Sequence, residues 1–257
     1  MMGYVIGGLV IAKFSYLFAF WLCGILYFVA GFFIIFTQDD PALMKNTVKP
    51  HYRRKRAELW PRFTHAVWLM LILFFITGFI RTYECPYIAL RVEAMTGKEN
   101  AAYWTGIISA IVSCGAIVSG ILNGYLCDRL SIKKMITPIF LISAAGLFLQ
   151  GYVDNIAGFT IARTLLYLAA GGIQPLLQKV LSGTTPKKKR GSVFGFSSTA
   201  SGVGVMLATV VSGWTFAYMS LSSIFYIAAL FFIITLPVTL SFLTTVMSSA
   251  YYKAHNN

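Results

Sequence analysis

Charge is scarce in this chain. Only 11% of its 257 residues are Asp, Glu, Lys or Arg, where a soluble domain devotes about a quarter to them. Acid is scarcest, with 8 Asp and Glu against 21 Lys and Arg and a formal net charge of +13. The four cysteines, Cys23, Cys85, Cys114 and Cys127, lie far apart with no CxxC pair, which supports neither a disulfide frame nor a zinc site. His51, His65 and His255 sit in or beside predicted loops and share no helix face, so no metal site is expected. No basic n-region marks the amino terminus and no small-residue cleavage site follows Phe14-Ser15-Tyr16, so this segment is expected to stay on the protein. There is no Gly-x-Ser-x-Gly elbow, phosphate loop or His-Glu-x-x-His. The chain therefore reads as no enzyme and as needing no cofactor.

What it has is apolar length. The composition is 58% hydrophobic with a mean hydropathy of +0.74, and a spanning helix needs roughly 20 mostly apolar residues. Such runs lie near 15–36, 64–83, 103–126, 134–153, 156–182, 191–217 and 222–247. These make an all-α polytopic membrane protein with seven full spans. Residues 3–12 form an apolar stub too short to cross alone.

The basic residues are distributed unevenly between the connections. Lys45, Lys49, Arg53, Arg54, Lys55, Arg56 and Arg62 fall between the first and second spans. Arg129, Lys133 and Lys134 follow the third, and Lys187, Lys188, Lys189 and Arg190 follow the fifth. The intervening connections carry far fewer, among them Arg81, Arg91 and Lys98. Positive-inside bias places the richer side in the cytoplasm, together with the carboxyl tail. It also explains Pro186-Lys187-Lys188-Lys189-Arg190, which otherwise reads like a nuclear localisation signal, and it removes nucleic acid as a partner.

On that topology the stub would begin in mid-bilayer, where a charged terminal amine costs at least a few kcal/mol. Either it lies at the outer interface or a preceding segment is missing, and the second is the expectation here. A gapless internal match supports it. Gly3-Tyr4-Val5-Ile6-Gly7-Gly8, followed by Phe20-Trp21, aligns with Ala208-Thr209-Val210-Val211-Ser212-Gly213, followed by Phe225-Tyr226. Small residues at such spacing let helix backbones approach closely in lipid.

The strongest motif is Gly124-Tyr125-Leu126-Cys127-Asp128-Arg129-Leu130-Ser131-Ile132-Lys133-Lys134, at the predicted cytoplasmic end of the third span. Asp128 stands at a helix carboxyl end, where the macrodipole disfavours an anion, so it needs a cationic or helix-amino-terminal partner. Gly124 would let another helix pack close. Gly-x-Leu-x-Asp-Arg with a tight basic turn resembles the signature loop of the major facilitator superfamily. Ser131 stands where that loop has glycine, and Ile132 where it has its first basic residue.

Read as the eighth–ninth connection of that family, the loop makes 3–12 the end of helix five, where Gly3, Gly7 and Gly8 match the family pattern and Tyr4 replaces its proline. Tyr83-Glu84-Cys85-Pro86-Tyr87 resembles the acid-proline exit from helix seven of drug exporters. Arg163, Gly171-Gly172 and Pro175 are similar to the helix-ten pattern, and Thr185-Pro186 through Arg190-Gly191 to the loop into helix eleven. Gly204, Ala208, Thr209, Ser212 and Gly213 look like a second copy of the helix-five pattern.

The resemblance implies a division into residues 1–36 (end of helix five and helix six), 37–63 (basic interdomain loop), 64–247 (carboxyl-terminal six-helix bundle) and 248–257 (cytoplasmic tail). It implies part of a secondary transporter of the bacterial inner membrane, working by alternating access. The expected activity is proton-coupled efflux of small drug-like compounds, inactive without an amino-terminal half. An uptake carrier for a small metabolite and a seven-helix receptor or sensor are the alternatives, the latter disfavoured by the lack of Asn-Pro-x-x-Tyr in the last span.

Candidate site residues follow from chemistry and from that register. Gly124, Asp128, Arg129, Lys133 and Lys134 form the gating loop. Arg163 is the one strong base expected well inside a span, either contacting substrate or gate, or snorkelling to the interface about two turns away. Tyr167 and Gln174 would face the cavity with it. Arg81 and Glu84, spaced i, i+3, are placed to pair on one helix face as an outer gate or as an interfacial ion pair, and Glu84 is the acidic candidate for proton coupling. Gly7, Gly8, Gly171, Gly172, Pro175, Gly204 and Gly213 are expected at helix contacts.

Overall fold

The structure, a computed structural model, describes residues 16–36, 63–186 and 189–255. The stub with Gly7 and Gly8, most of the 37–63 loop, and Lys187 and Lys188 lie outside the described residues, as does the side chain of Asp128. The described chain is helical: α1 Tyr16–Phe36, α2 His65–Thr82, a 3-10 turn Cys85–Tyr87, α3 Ile88–Thr96, α4 Lys98–Arg129, α5 Ile132–Tyr152, α6 Ile156–Ala170, α7 Ile173–Thr184, α8 Arg190–Tyr218 and α9 Leu221–His255. Six continuous or broken helices between His65 and Ser248 have the length and apolarity to cross a membrane. Helix α1 adds a further 21-residue apolar element.

Two of the six are broken, and proline explains both breaks. A proline has no N–H for the carbonyl four residues back, and its ring crowds that carbonyl. Pro86 denies a partner to Thr82, the last residue of α2, and the chain continues through the 3-10 turn into α3. Pro175 does the same to Gly171, and α6 ends at Ala170 before α7 resumes at Ile173. The spans expected at 64–83 and 156–182 are thus each a jointed pair of helices, 65–96 and 156–184.

Packing follows the small residues. Helix α2 lies along α8, α9 along α5, and α6 against both α4 and α5. Gly204, Ala208 and Ser212 recur every four residues and form a buried stripe on α8. A Cβ on Gly204 would come 2.2 Å from the Phe75 carbonyl oxygen, and one on Gly78 would come 2.4 Å from that of Ser201. Two backbones therefore touch directly, the form of contact that holds helices together in lipid. The interior is filled by Phe74, Phe140, Phe159, Phe225 and Phe232, while Ile121, Ile161, Val210 and Trp214 point outward. An apolar surface of that kind is stable where the surrounding medium is hydrocarbon.

Candidate functional site

The two broken helices bring their joints together. Glu84 follows the end of α2, and Arg163 lies two turns into α6; the two residues are 2% and 4% exposed. Arg163 Nη1 donates to Glu84 Oε2 at 3.0 Å and to Gln150 Oε1 on α5 at 2.9 Å. Gln150 in turn donates through Nε2 to the Gly146 carbonyl at 3.2 Å. The Arg163 guanidinium also stands 5.3 Å from the ring centroid of Tyr167, one turn along α6. A charge this deep is tolerable only when paired and hydrogen-bonded, and Arg163 has both kinds of partner.

Arg81 does not pair with Glu84. Its Nη1 donates at 3.1 Å to Gln174 Oε1 in the first turn of α7, across the gap between the two broken helices. The i, i+3 pairing assumes that the helix runs on, whereas α2 stops at Thr82 and Glu84 enters the turn ahead of Pro86. Interfacial snorkelling of Arg163 is likewise replaced by an internal ion pair.

Beside this pair lies a narrow crevice with about 10 Å³ of accessible space, lined by Ile80, Arg81, Glu84, Leu147, Leu166, Tyr167, Ala170 and Phe232. Its lining is mostly apolar, with Arg81 and Glu84 as its charged members. A space of that size holds about one water.

Other sequence-marked residues fall elsewhere. Gly171 and Gly172 pack against α4: a Cβ on Gly172 would meet the Asn123 side chain at 2.2 Å, and one on Gly171 would meet Ala116 Cα at 3.1 Å. Pro175 is exposed on α7. Gly213 has only an ordinary 3.8 Å approach from the Tyr87 hydroxyl. Gly124 has nothing within 4 Å among the described residues, so the close packing expected there is not made. Arg129 covers the Tyr125 ring at 4.6 Å, and Lys133 and Lys134 open α5 two residues after the Leu130-Ser131 link. This loop sits at the opposite end of α4 from the α3–α4 junction.

Three features were missed by sequence reasoning. Gln150 completes the Arg163 site; its signal was a lone amide seven residues after Ser143 on the buried face of α5. Tyr83 and Thr215 join α2 to α8 through their hydroxyls at 2.7 Å. Arg91 Nη2 clamps the end of α5, donating to the carbonyls of Gly151 and Val153 at 3.2 and 3.1 Å and to Asp154 at 2.9 Å. Among the described residues no group of His, Cys, Asp and Glu is placed to hold a metal ion.

Against known sequences, the pattern for the Major Facilitator Superfamily matches residues 100–250. The chain is 22% identical over 236 residues to an uncharacterized MFS-type transporter, YuxJ, of Bacillus subtilis (strain 168), covering 90% of this chain and 59% of YuxJ. It is 28% identical over 186 residues to the multidrug resistance protein MdtG of Rahnella sp. (strain Y9602), covering 72% of this chain and 44% of that protein. MdtG of Proteus mirabilis (strain HI4320) is 28% identical over 193 residues, with coverage of 74% and 47%. The chain thus spans about half the length of these curated relatives.

Proposed function

The chain belongs to the Major Facilitator Superfamily, a family of membrane transporters rather than enzymes, and we propose that it forms one six-helix half of a secondary active transporter. Residues 64–247 are the carboxyl-terminal bundle of that half, residues 1–36 the end of its neighbour, and 37–63 the connection between them. The basic connections and residues 248–257 face the cytoplasm of a bacterial inner membrane. A second, amino-terminal half completes the path, and small drug-like molecules cross outward by alternating access, driven by protons. The MdtG names support the drug-export reading, and the buried ion pair between two broken helices supports the site.

The observation that carries the proposal is the Glu84–Arg163 pair, buried beside a narrow crevice at the meeting of two proline-broken helices. Intramembrane ion pairs and discontinuous helices mark substrate and ion pathways. A proton taken up by Glu84 removes the charge that holds Arg163 and gives the pair a second state, which coupling requires. Tyr167 and Gln174 contact cargo, and Arg81 closes the outer side. At the other end, Asp128 of the loop Gly124, Arg129, Lys133 and Lys134 meets a helix amino terminus of the second half and holds the inward side shut.

Proteoliposomes with an imposed proton gradient test this, using dyes of positive, negative and zero charge. The chain alone is expected to move none of them; joined by a complementary amino-terminal half, it is expected to give gradient-driven flux that Glu84→Gln abolishes. Gradient-driven flux by the chain alone would overturn the half-transporter reading, and undiminished flux with Glu84→Gln would overturn the coupling role.

A further inference from the structure

A wider space opens at the other end of the bundle from the Gly124–Lys134 loop, where the α3–α4 turn meets the α8–α9 link. It is an open-sided pocket of about 420 Å³, against about 10 Å³ beside Arg81. Leu90, Ala94, Phe216 and Leu221 form its apolar lining, and Glu93 and Lys98 are its charged members. The Tyr87 ring, 5.0 Å from that of Phe216, braces the aromatic wall. Gly97 sets the two charges on either side of one turn. Its φ of 78° is a conformation that favours glycine, its N–H donates to the Glu93 carbonyl at 2.9 Å, and a Cβ there would meet nothing within 4 Å. Among the described residues, neither the Glu93 nor the Lys98 side chain has an ion pair or hydrogen bond. Neighbouring Glu99 is exposed and does not line the pocket. Lys98 opens α4, whose first-turn N–H groups receive no side-chain cap from Gly97, so a helix dipole and an ammonium favour an anion at one place. Across the turn, the Glu93 carboxylate favours a cation.

We propose that this pocket holds the headgroup of a zwitterionic phospholipid with a primary amine, of the phosphatidylethanolamine type. The phosphate sits at Lys98 and the amino terminus of α4, the ammonium at Glu93, and the start of the acyl chains against Leu90, Phe216 and Leu221. The depth suits a headgroup, because exposed Trp214 and Tyr218 close α8 at the same end and such aromatics collect at the membrane–water interface. Leu90 and Phe216 are each 41% exposed, so the apolar wall is open to an acyl chain. A primary ammonium brings three N–H donors to a carboxylate, and charge-assisted hydrogen bonds are the strong ones. The methylated ammonium of phosphatidylcholine brings none, and phosphatidylglycerol carries no cation. The pocket therefore distinguishes lipids that all share a phosphate.

Native mass spectrometry of the full chain released from detergent micelles tests this. Phosphatidylethanolamine, phosphatidylcholine and phosphatidylglycerol with identical acyl chains are titrated separately, and the affinity of the first bound lipid is read. Phosphatidylethanolamine is expected to bind about fivefold more tightly than either of the others. Glu93→Gln is expected to remove that preference, and Lys98→Gln to weaken phosphatidylethanolamine and phosphatidylcholine alike, with the helical circular dichroism of each variant checked against wild type. Excess water-soluble O-phosphoethanolamine is expected to leave the lipid bound. Equal or tighter binding of phosphatidylcholine or phosphatidylglycerol to the wild-type chain overturns the proposal without recourse to any variant. A preference that survives in folded Glu93→Gln, or affinities unchanged in folded Lys98→Gln, overturns the two-point headgroup site. Displacement by O-phosphoethanolamine overturns the assignment to a lipid.

Discussion

At the scale of single residues, the decisive feature is how the interior charges are matched. Removing one member of a buried ion pair strands the other, which costs about 3–5 kcal/mol, whereas replacing both by apolar groups of similar size is often neutral. Glu84→Gln is therefore expected to destabilise the bundle by about that amount, and Glu84→Gln with Arg163→Met to recover most of it. Unfolding in mixed micelles, followed by tryptophan fluorescence, measures both; a double variant as unstable as the single one would contradict the stranded-charge account. The sequence made each partner visible, since an acid and a base stood out in apolar runs. It did not show the pairing, because the two lie 79 positions apart and the nearer match, Arg81 with Glu84, looked sufficient. Spacing rules hold along an unbroken helix, and here the helix ends between those two residues.

At the scale of the helix, glycines that look alike in sequence do different things. A Cβ on Gly204 would strike the backbone of α2, while Gly195 and Gly202 on the same helix have nothing within 4 Å among the described residues. Gly204→Ala is expected to push α2 and α8 apart at a cost of about 1–3 kcal/mol. Gly202→Ala is expected to be neutral or stabilising by up to about 1 kcal/mol, because alanine is the better helix former. The same micelle unfolding compares them, and equal effects would refute the direct backbone contact. The joints respond differently again. Pro175→Ala supplies the missing N–H to the Gly171 carbonyl, so hydrogen exchange across 171–175 is expected to slow as α6 and α7 merge; unchanged exchange would show that the break has another cause. Most of the spans could be read from apolar length to within a few residues, since lipid demands it. The jointing was only half legible: both prolines were visible, but where the two joints meet is a property of packing that no local pattern encodes.

At the scale of the whole molecule, the distribution of basic residues makes a claim about orientation. Successive spans alternate in direction, so the α4–α5 link with Arg129, Lys133 and Lys134 and the α7–α8 link with Lys189 and Arg190 share one end. The α5–α6 link at Asp154-Asn155 and the α8–α9 link at Met219-Ser220 share the other and contain no Lys or Arg. Clusters of Lys and Arg in short connections resist translocation, which is why their side is retained in the cytoplasm. Both termini of that inference can be reached by a thiol probe. With Cys23, Cys85, Cys114 and Cys127 replaced by serine or alanine, a new cysteine at exposed Asn155 is expected to react in intact cells with a membrane-impermeant maleimide. One at exposed Ser131 is expected to react only after the membrane is opened. The opposite pattern would invert the topology and put the Arg81 crevice on the cytoplasmic side. It would also make the Gly124–Lys134 loop an outer feature, so the gate assigned to each end of the bundle would have to be exchanged.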